Sequence, residues 1–187
     1  MVVLAAGSSR RLGRPKQLLD LDGRPLLQHV IDAAAAAGPE QIVVVLGHAE
    51  REIRAALALP QSAVVAVNPD FATGQASSLR VGLAALTGSI ARAVVLLGDH
   101  PRVSPEVIRA VAEAPGPIAR ATYGGEPSHP VAFDRAVWPE LRAIDGDRGA
   151  RDVIVAHADE VNAVEMGGDA PDDVDTDEDY RRLTSAQ

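Results

Sequence analysis

A group of clustered cations and one abruptly placed carboxylate are the residues of this 187-residue chain best suited to do chemistry. Arg10, Arg11, Arg14 and Lys16 fall together behind Gly7, Ser8 and Ser9, directly after the apolar opening Met1-Val2-Val3-Leu4 and the small residues Ala5 and Ala6. A strand that runs into a Gly/Ser-rich loop lets backbone N–H groups approach phosphate oxygens closely, and side-chain cations neutralise the charge the amides leave over. Of 18 basic residues Lys16 is the one lysine, a compact ammonium that serves phosphate as a point charge. The alternative for Lys16 is a solvated surface position. Two standard phosphate loops are excluded. Five residues separate Gly7 from Gly13 and Lys16 stands three beyond, which breaks the P-loop spacing. Ser8, Ser9 and Arg10 after Gly7 break the dinucleotide fingerprint.

The run Val94-Val95-Leu96-Leu97 ends in Gly98-Asp99-His100-Pro101. A single carboxylate facing bound phosphates is a common way to hold Mg²⁺, which keeps several waters and takes oxygen ligands. A turn residue bonding its own backbone is the other reading of Asp99. The segment from Asn68 through Gly74, Gln75, Ser77 and Ser78 follows another apolar run and leads into a helical pattern. Glycine and small hydroxyls at a helix start admit a ribose or base edge and offer unpaired N–H donors, although a plain loop and cap would look the same. The chain has no cysteine, so thiol nucleophiles and thiolate metal sites are excluded. It has no G-x-S-x-G elbow and no zinc-type histidine spacing. His29, His48 and His157 lie in no motif.

The elements that must position these groups follow from pattern. Short apolar, β-branched runs at 2–4, 42–46, 63–67, 93–97, 118–121, 131–133 and 161–164 alternate with helical stretches. That is the form of a Rossmann-like α/β fold, a three-layer αβα sandwich with a mostly parallel sheet. Pro25 opens a helix that ends at Gly38 and carries Leu26, Leu27, Val30, Ile31 and Ala34 on one side. Further helices are expected over about 49–59 and 75–86, from Ser104-Pro105-Glu106, and from Thr176, whose spacing to Asp179 is that of a capping box. The acidic stretch 169–179 reads as a solvated tail. In such a sheet, ligands collect at the carboxyl ends of the strands, so the loops after each run should converge on one crevice.

Length and a near-even apolar content suit one domain over residues 1–187 with an aliphatic core, since aromatics make up 3%. The net charge of −8 argues against nucleic acid or an anionic membrane as partner, because both require broad positive surfaces. Neither a signal peptide nor a long apolar span is visible, and a cytoplasmic location is expected.

The stretch Leu4-Ala5-Ala6-Gly7-Ser8-Ser9-Arg10-Arg11-Leu12-Gly13-Arg14-Pro15-Lys16 resembles the L-A-A-G-x-S-x-R-M-G-x-x-K signature of MobA-like nucleotidyltransferases, nearest to the molybdenum cofactor cytidylyltransferase branch, with Leu12 replacing Met. Gly98-Asp99-His100-Pro101 is similar to the family's G-D-x-P, Asn68 to Leu79 to its N-x-x-x-x-x-G-x-x-x-S-L, and Asp173 to Asp179 to its D-x-D-T-x-E-D. Ser128-His129-Pro130-Val131-Ala132-Phe133 and Gly146-Asp147-Arg148-Gly149-Ala150-Arg151 resemble G-H-P-V-x-F and G-D-K-G-A-R, with Ser128 for glycine and Arg148 for lysine. The resemblance implies that Lys16 and Arg11 hold a triphosphate and that Asp99 and Asp175 hold Mg²⁺. Leu4 to Ser9, Asn68, Gly74, Gln75, Ser77, Ser78 and Gly98 would bind the nucleotide, and His129, Arg148 and Arg151 the acceptor. It further implies CMP transfer from CTP, favoured by Leu4-Ala5-Ala6-Gly7, to molybdopterin with release of pyrophosphate, and a molybdoenzyme or cofactor-insertion protein as partner. The competing expectations are a sugar phosphate or phospholactate acceptor, a NAD(P)H-dependent reductase, and a nucleotide binder without catalysis.

Overall fold

The computed structural model describes residues 1–185; positions 186 and 187 of the expected domain lie outside the described residues. Seven strands form one sheet in the order β5-β4-β1-β6-β8-β7-β9. They are β1 (Val2–Leu4), β4 (Ile42–Leu46), β5 (Ala63–Val67), β6 (Arg92–Leu97), β7 (Ile118–Tyr123), β8 (Glu126–Asp134) and β9 (Val161–Met166). A two-residue pairing of β2 (Asp20–Leu21) with β3 (Arg24–Pro25) stands apart as a hairpin. All pairings in the large sheet are parallel except those of β8, which runs against both β6 and β7.

The helices are α1 (Leu26–Ala36), α2 (Glu50–Ala56), α3 (Gln75–Ala84), α4 (Pro105–Glu113), α5 (Trp138–Ala143), α6 (Arg151–Ala156) and α7 (Asp177–Ser185). Strand side chains alternate between the two faces, and the core divides accordingly. Val3, Val44 and Leu96 pack with Leu27 and Ile31 of α1 and Ile108 of α4 on one face. Val2, Val45 and Val95 pack with Leu79 and Leu83 of α3 and Leu141 of α5 on the other. The three-layer reading of the sequence is the architecture found.

Local signals explain the helix ends. Ser104 Oγ accepts from the backbone N–H of Val107 at 3.3 Å, with Pro105 in the first turn of α4. Before α7, Asp179 N–H donates to Thr176 Oγ1 at 3.2 Å while Asp179 Oδ2 accepts from Thr176 N–H at 2.8 Å, the reciprocal pair of a capping box. The alanine run ends α1 against the sheet, with Ala34 fully buried, and the chain turns at Gly38 with φ 77°. Helix α2 is shorter than the expected 49–59, because the chain leaves helical geometry at Leu57.

The acidic segment before α7 is not a solvated tail. Val174 and Leu183 are fully buried in a third apolar cluster with Leu12, Leu19, Leu21 and Leu26. Val174 N–H donates to the carbonyl of Asp99 at 3.2 Å, and Arg102 donates to the carbonyl of Leu183 at 2.7 Å. The charges dominate the composition of this strap, but its few apolar residues decide its position. No helix among the described residues is long and apolar enough to cross a membrane.

Candidate active site

From β1 the chain passes outward to β4 and β5 and then returns to place β6 on the other side of β1. Neighbouring strands whose connections leave in opposite directions open a crevice at their carboxyl ends. Gly98 N–H donates to the carbonyl of Leu4 at 2.9 Å, so the loop after β1 and the loop after β6 begin side by side. A Cβ at Gly98 would lie 2.8 Å from that of Ala5 and 3.0 Å from the Leu4 carbonyl, which is why only glycine fits between them.

The first cavity, of about 470 Å³, lies at this junction. Residues 4–9, Arg11, Lys16, Gly98, Asp99 and Asp175 all line it, joined by Gly74, Gln75 and Ser78 from the start of α3. Lys16 Nζ donates to Asp99 Oδ2 at 2.5 Å and to Asp175 Oδ1 at 2.7 Å. The lysine side chain is 15% exposed, so these contacts are screened little by salt. Burial disfavours its ammonium, but Asp99 and Asp175 more than offset this and raise its pKa above the ordinary lysine value. Asp175 is held below the usual carboxylate range chiefly by its hydrogen bond from Lys16, aided by Arg11. Arg11 reaches Asp175 at 2.9 Å from an exposed position, a pairing worth little by itself and easily exchanged for another anion.

The loop over this cavity is shaped by a residue without an expected role. Gln17 is 2% exposed, and its Nε2 donates to the carbonyls of Ala5 at 2.8 Å and Gly7 at 3.1 Å. With those carbonyls drawn inward, no protein acceptor among the described residues meets the backbone N–H groups of Gly7, Ser8, Ser9 or Arg10. Successive free amides beside an ammonium suit phosphate oxygens. Ser9 Oγ accepts from Lys16 N–H at 3.0 Å, which ties the amide loop to the lysine.

Two carboxylates gathered on one ammonium supply hard oxygen donors of the kind that a divalent cation takes, completed by phosphate oxygens and water. Among the described residues no three His, Cys, Asp or Glu side chains gather into an all-protein cage. The donor set fits Mg²⁺ or Mn²⁺ shared with a nucleotide, and in this structure the Lys16 ammonium bonds to both carboxylates.

Asn68 and Ser77, expected at the nucleotide, line neither cavity. Asn68 is 1% exposed; its Nδ2 donates to Ser77 Oγ at 2.8 Å and Ser78 Oγ at 3.0 Å, and its Oδ1 accepts from Asp70 N–H at 2.9 Å. Their polar atoms are spent on fixing the loop ahead of α3. Gly74 has φ 123°, and a Cβ there would lie 2.3 Å from the backbone carbon of Gly146. We expect Gly74→Ala to cost at least about 2 kcal/mol of stability, from the strained φ and the backbone clash together, read as a lower urea midpoint at unchanged slope.

His129, Arg148 and Arg151 line a second cavity of about 480 Å³, which shares Leu4 and Gln75 with the first. Although His129 keeps some accessible surface, desolvation of the ring, with His100 and Arg120 adding repulsion, pushes its pKa down to about 4. Between pH 6.5 and 4 the unfolded chain therefore takes up a proton that the folded chain refuses. Stability from this residue is complete above pH 6.5 and is lost as pH falls toward 4, a loss on the order of 3 kcal/mol. A urea midpoint that stays level across that window, or falls equally in His129→Gln, would contradict the assignment. Sequence reasoning missed Gln17, Phe71, Asp147 and, in the second cavity, Arg120. The signal for Arg120 was a cation inside an otherwise apolar strand.

A parallel-sheet crevice with free amides, an ammonium and paired carboxylates has the chemistry suited to a nucleotide's phosphates and a divalent cation. Residues 1–161 match the MobA-like NTP transferase domain, and the chain belongs to that family. It is 40% identical to the bifunctional protein GlmU of Burkholderia thailandensis over 126 residues, 66% of this chain and 26% of that protein. The chain thus matches about a quarter of the length of that relative. The crystal structure of Rv0371c from Mycobacterium tuberculosis H37Rv is similar, with a TM-score of 0.89 and 37% identity, covering 99% of this chain and 96% of that one. A manganese complex of Rv0371c aligns with a TM-score of 0.86 and 35% identity, covering 100% and 97%. A nucleotidyl transferase from Methanothermobacter, at 24% identity and a TM-score of 0.83, covering 98% of this chain and 94% of that one, shares the fold.

Proposed function

We propose that the chain moves a nucleoside monophosphate, CMP from CTP in preference, onto the phosphate of a small acceptor, molybdopterin, and releases pyrophosphate. The observation that carries this reading is the bonding of one ammonium, Lys16, to both Asp99 and Asp175 beneath the free amides of the Gly7 to Arg10 loop. In the reaction an oxygen of the acceptor phosphate forms a bond to the α-phosphorus as the bond to the bridging oxygen breaks, and pyrophosphate leaves with the electron pair. The protein's share in such a substitution is positioning and charge.

Lys16 and Arg11 bind the triphosphate, the loop amides receive its oxygens, and Ala5 and Ala6 keep that wall low enough for the nucleoside. Asp99 and Asp175 hold Mg²⁺ or Mn²⁺, which when bound neutralises phosphate charge. The manganese complex of the Rv0371c relative supports a divalent cation. The cytidine preference rests on the Leu4-Ala5-Ala6-Gly7 opening. A cytoplasmic location and a cofactor-handling protein as partner belong to the same proposal, with residues 1–187 acting as one domain.

The test is pyrophosphate release from each of four NTPs with Mg²⁺ or Mn²⁺ and with molybdopterin, a sugar phosphate or phospholactate as acceptor. Release that requires CTP and molybdopterin is expected. Release with another acceptor replaces that substrate, and NAD(P)H oxidation without release replaces the transferase.

A further inference from the structure

The second cavity holds a feature that the nucleotide site does not explain. Its accessible apolar lining comes from Ile154, half-buried, and Val155, 67% exposed, whereas Leu79, Val131 and Phe133, at or below 2% exposure, are closed to solvent. Around this stand Arg120, Arg148 and Arg151. Arg148 makes an exposed pair with Asp152 at 3.3 Å, readily exchanged for another anion. Arg120 and Arg151 have no carboxylate within ion-pair distance among the described residues, and the Nε of Arg120 donates only to the carbonyl of Ser128, at 3.3 Å.

Strand geometry aims Arg120 inward. It alternates with Ala119 and Ala121, which face the opposite core cluster, and so shares its face with Ile118. The β7–β8 register shifts between Arg120 and Thr122, and a bulge of this kind re-aims a side chain. Burial first, and the nearby Arg151 second, lower the pKa of Arg120 below the ordinary arginine value. Two close guanidinium groups without a counter-charge, one of them desolvated, are costly in the free protein and become favourable when an anion joins them.

We infer that Arg120 and Arg151 form a phosphate subsite in the second cavity, and that this cavity takes a phosphomonoester whose body presents an apolar face to Ile154 and Val155. Planar guanidinium forks match phosphate oxygens in pairs. The subsite adjoins the nucleotide cavity across Leu4 and Gln75, where an attacking phosphate would have to stand. This assignment rests on the transferase reading for its purpose but not for its test. Arg120 thereby becomes a binding and specificity residue.

Binding of phenyl phosphate to the free protein, followed by calorimetry without nucleotide, separates the two. We expect Arg120→Met to weaken it about tenfold or more, Arg120→Lys to weaken it less, and Lys16→Gln to leave it unchanged. In a Lys16→Gln background, which removes the ammonium of the nucleotide cavity, inorganic phosphate should still raise the melting temperature, and adding Arg120→Met should remove that rise; Arg120→Met alone should melt, without phosphate, at or above the parent's temperature. A merely structural arginine would leave the phosphate effect in place and would lower the melting temperature when replaced. Phenyl phosphate binding that survives Arg120→Met, or that is lost in Lys16→Gln, overturns the subsite. Failure of pyrophosphate release with every NTP, alongside Arg120-dependent binding, overturns the transferase reading and leaves the subsite standing.

Discussion

Asp99→Asn is expected to abolish the proposed metal-dependent NMP transfer while the protein remains folded. Asparagine keeps the size of the side chain and can still accept a hydrogen bond from the Lys16 ammonium, which lies 2.5 Å from Asp99 Oδ2. The carbonyl that receives Val174 N–H belongs to the backbone, so the strap carrying Asp175 stays attached. What is lost is one of the two negative charges that the proposed cation site requires. Loss of the metal forfeits several kcal/mol of charge stabilisation, and at about 1.4 kcal/mol per tenfold the fall in turnover is about 10³-fold or more. Pyrophosphate release measured across a Mn²⁺ titration checks this. A variant with the parent's dependence on metal concentration would remove Asp99 from the cation site, and a variant that melts much lower would assign it a structural duty instead.

Much of this site was legible because its parts sit at strand ends. Apolar runs located β1, β4, β5 and β6, and the rule that ligands meet at carboxyl ends brought Lys16 and Asp99 together before any coordinates did. Strand direction was harder to read. The run at 131–133 is as apolar as its parallel neighbours, and the clue to its reversal is Gly124-Gly125, two positive-φ residues of φ 57° and 82° forming the two-residue turn between β7 and β8. Asn68 and Ser77 mislead for a different reason. A polar residue after a strand can face a ligand or bond to its neighbour with the same sequence, and only the 2.8 Å contact between them decides. The strap failed because charge outnumbers apolar residues there, although Val174 and Leu183 are fully buried and anchor it in the third apolar cluster.

The small hairpin β2–β3 was also invisible as a pattern, yet it links the two halves of the site. Leu19 and Leu21 beside it pack with Leu12 of the phosphate loop and with Val174 of the strap. Tyr180 donates its hydroxyl to the carbonyl of Asp20, and Arg14 stands over the Tyr180 ring while pairing with Asp177 at 3.1 Å. The cationic loop and the carboxylate strap are therefore positioned by one shared apolar cluster, and the spacing between Lys16 and Asp175 depends on that packing.

Lys16→Ala should divide two quantities that a purely structural lysine would move together. In the free protein the ammonium competes with a cation for Asp99 and Asp175, so its removal should lower the Mn²⁺ concentration needed for half-saturation. In the reaction it contributes positive charge where charge develops, and losing one preorganised contact of this kind costs about 2–4 kcal/mol, or roughly 30-fold to 1,000-fold in turnover. Tighter metal binding with slower catalysis is the expected pair of results, read by Mn²⁺ titration of the free protein and by pyrophosphate release at saturating metal. Arg11, more exposed and held only to Asp175, cannot replace Lys16, because its position lacks the contact with Asp99. Near-normal turnover in Lys16→Ala would place the triphosphate elsewhere in the cavity and would leave the lysine as the carboxylates' counter-charge alone.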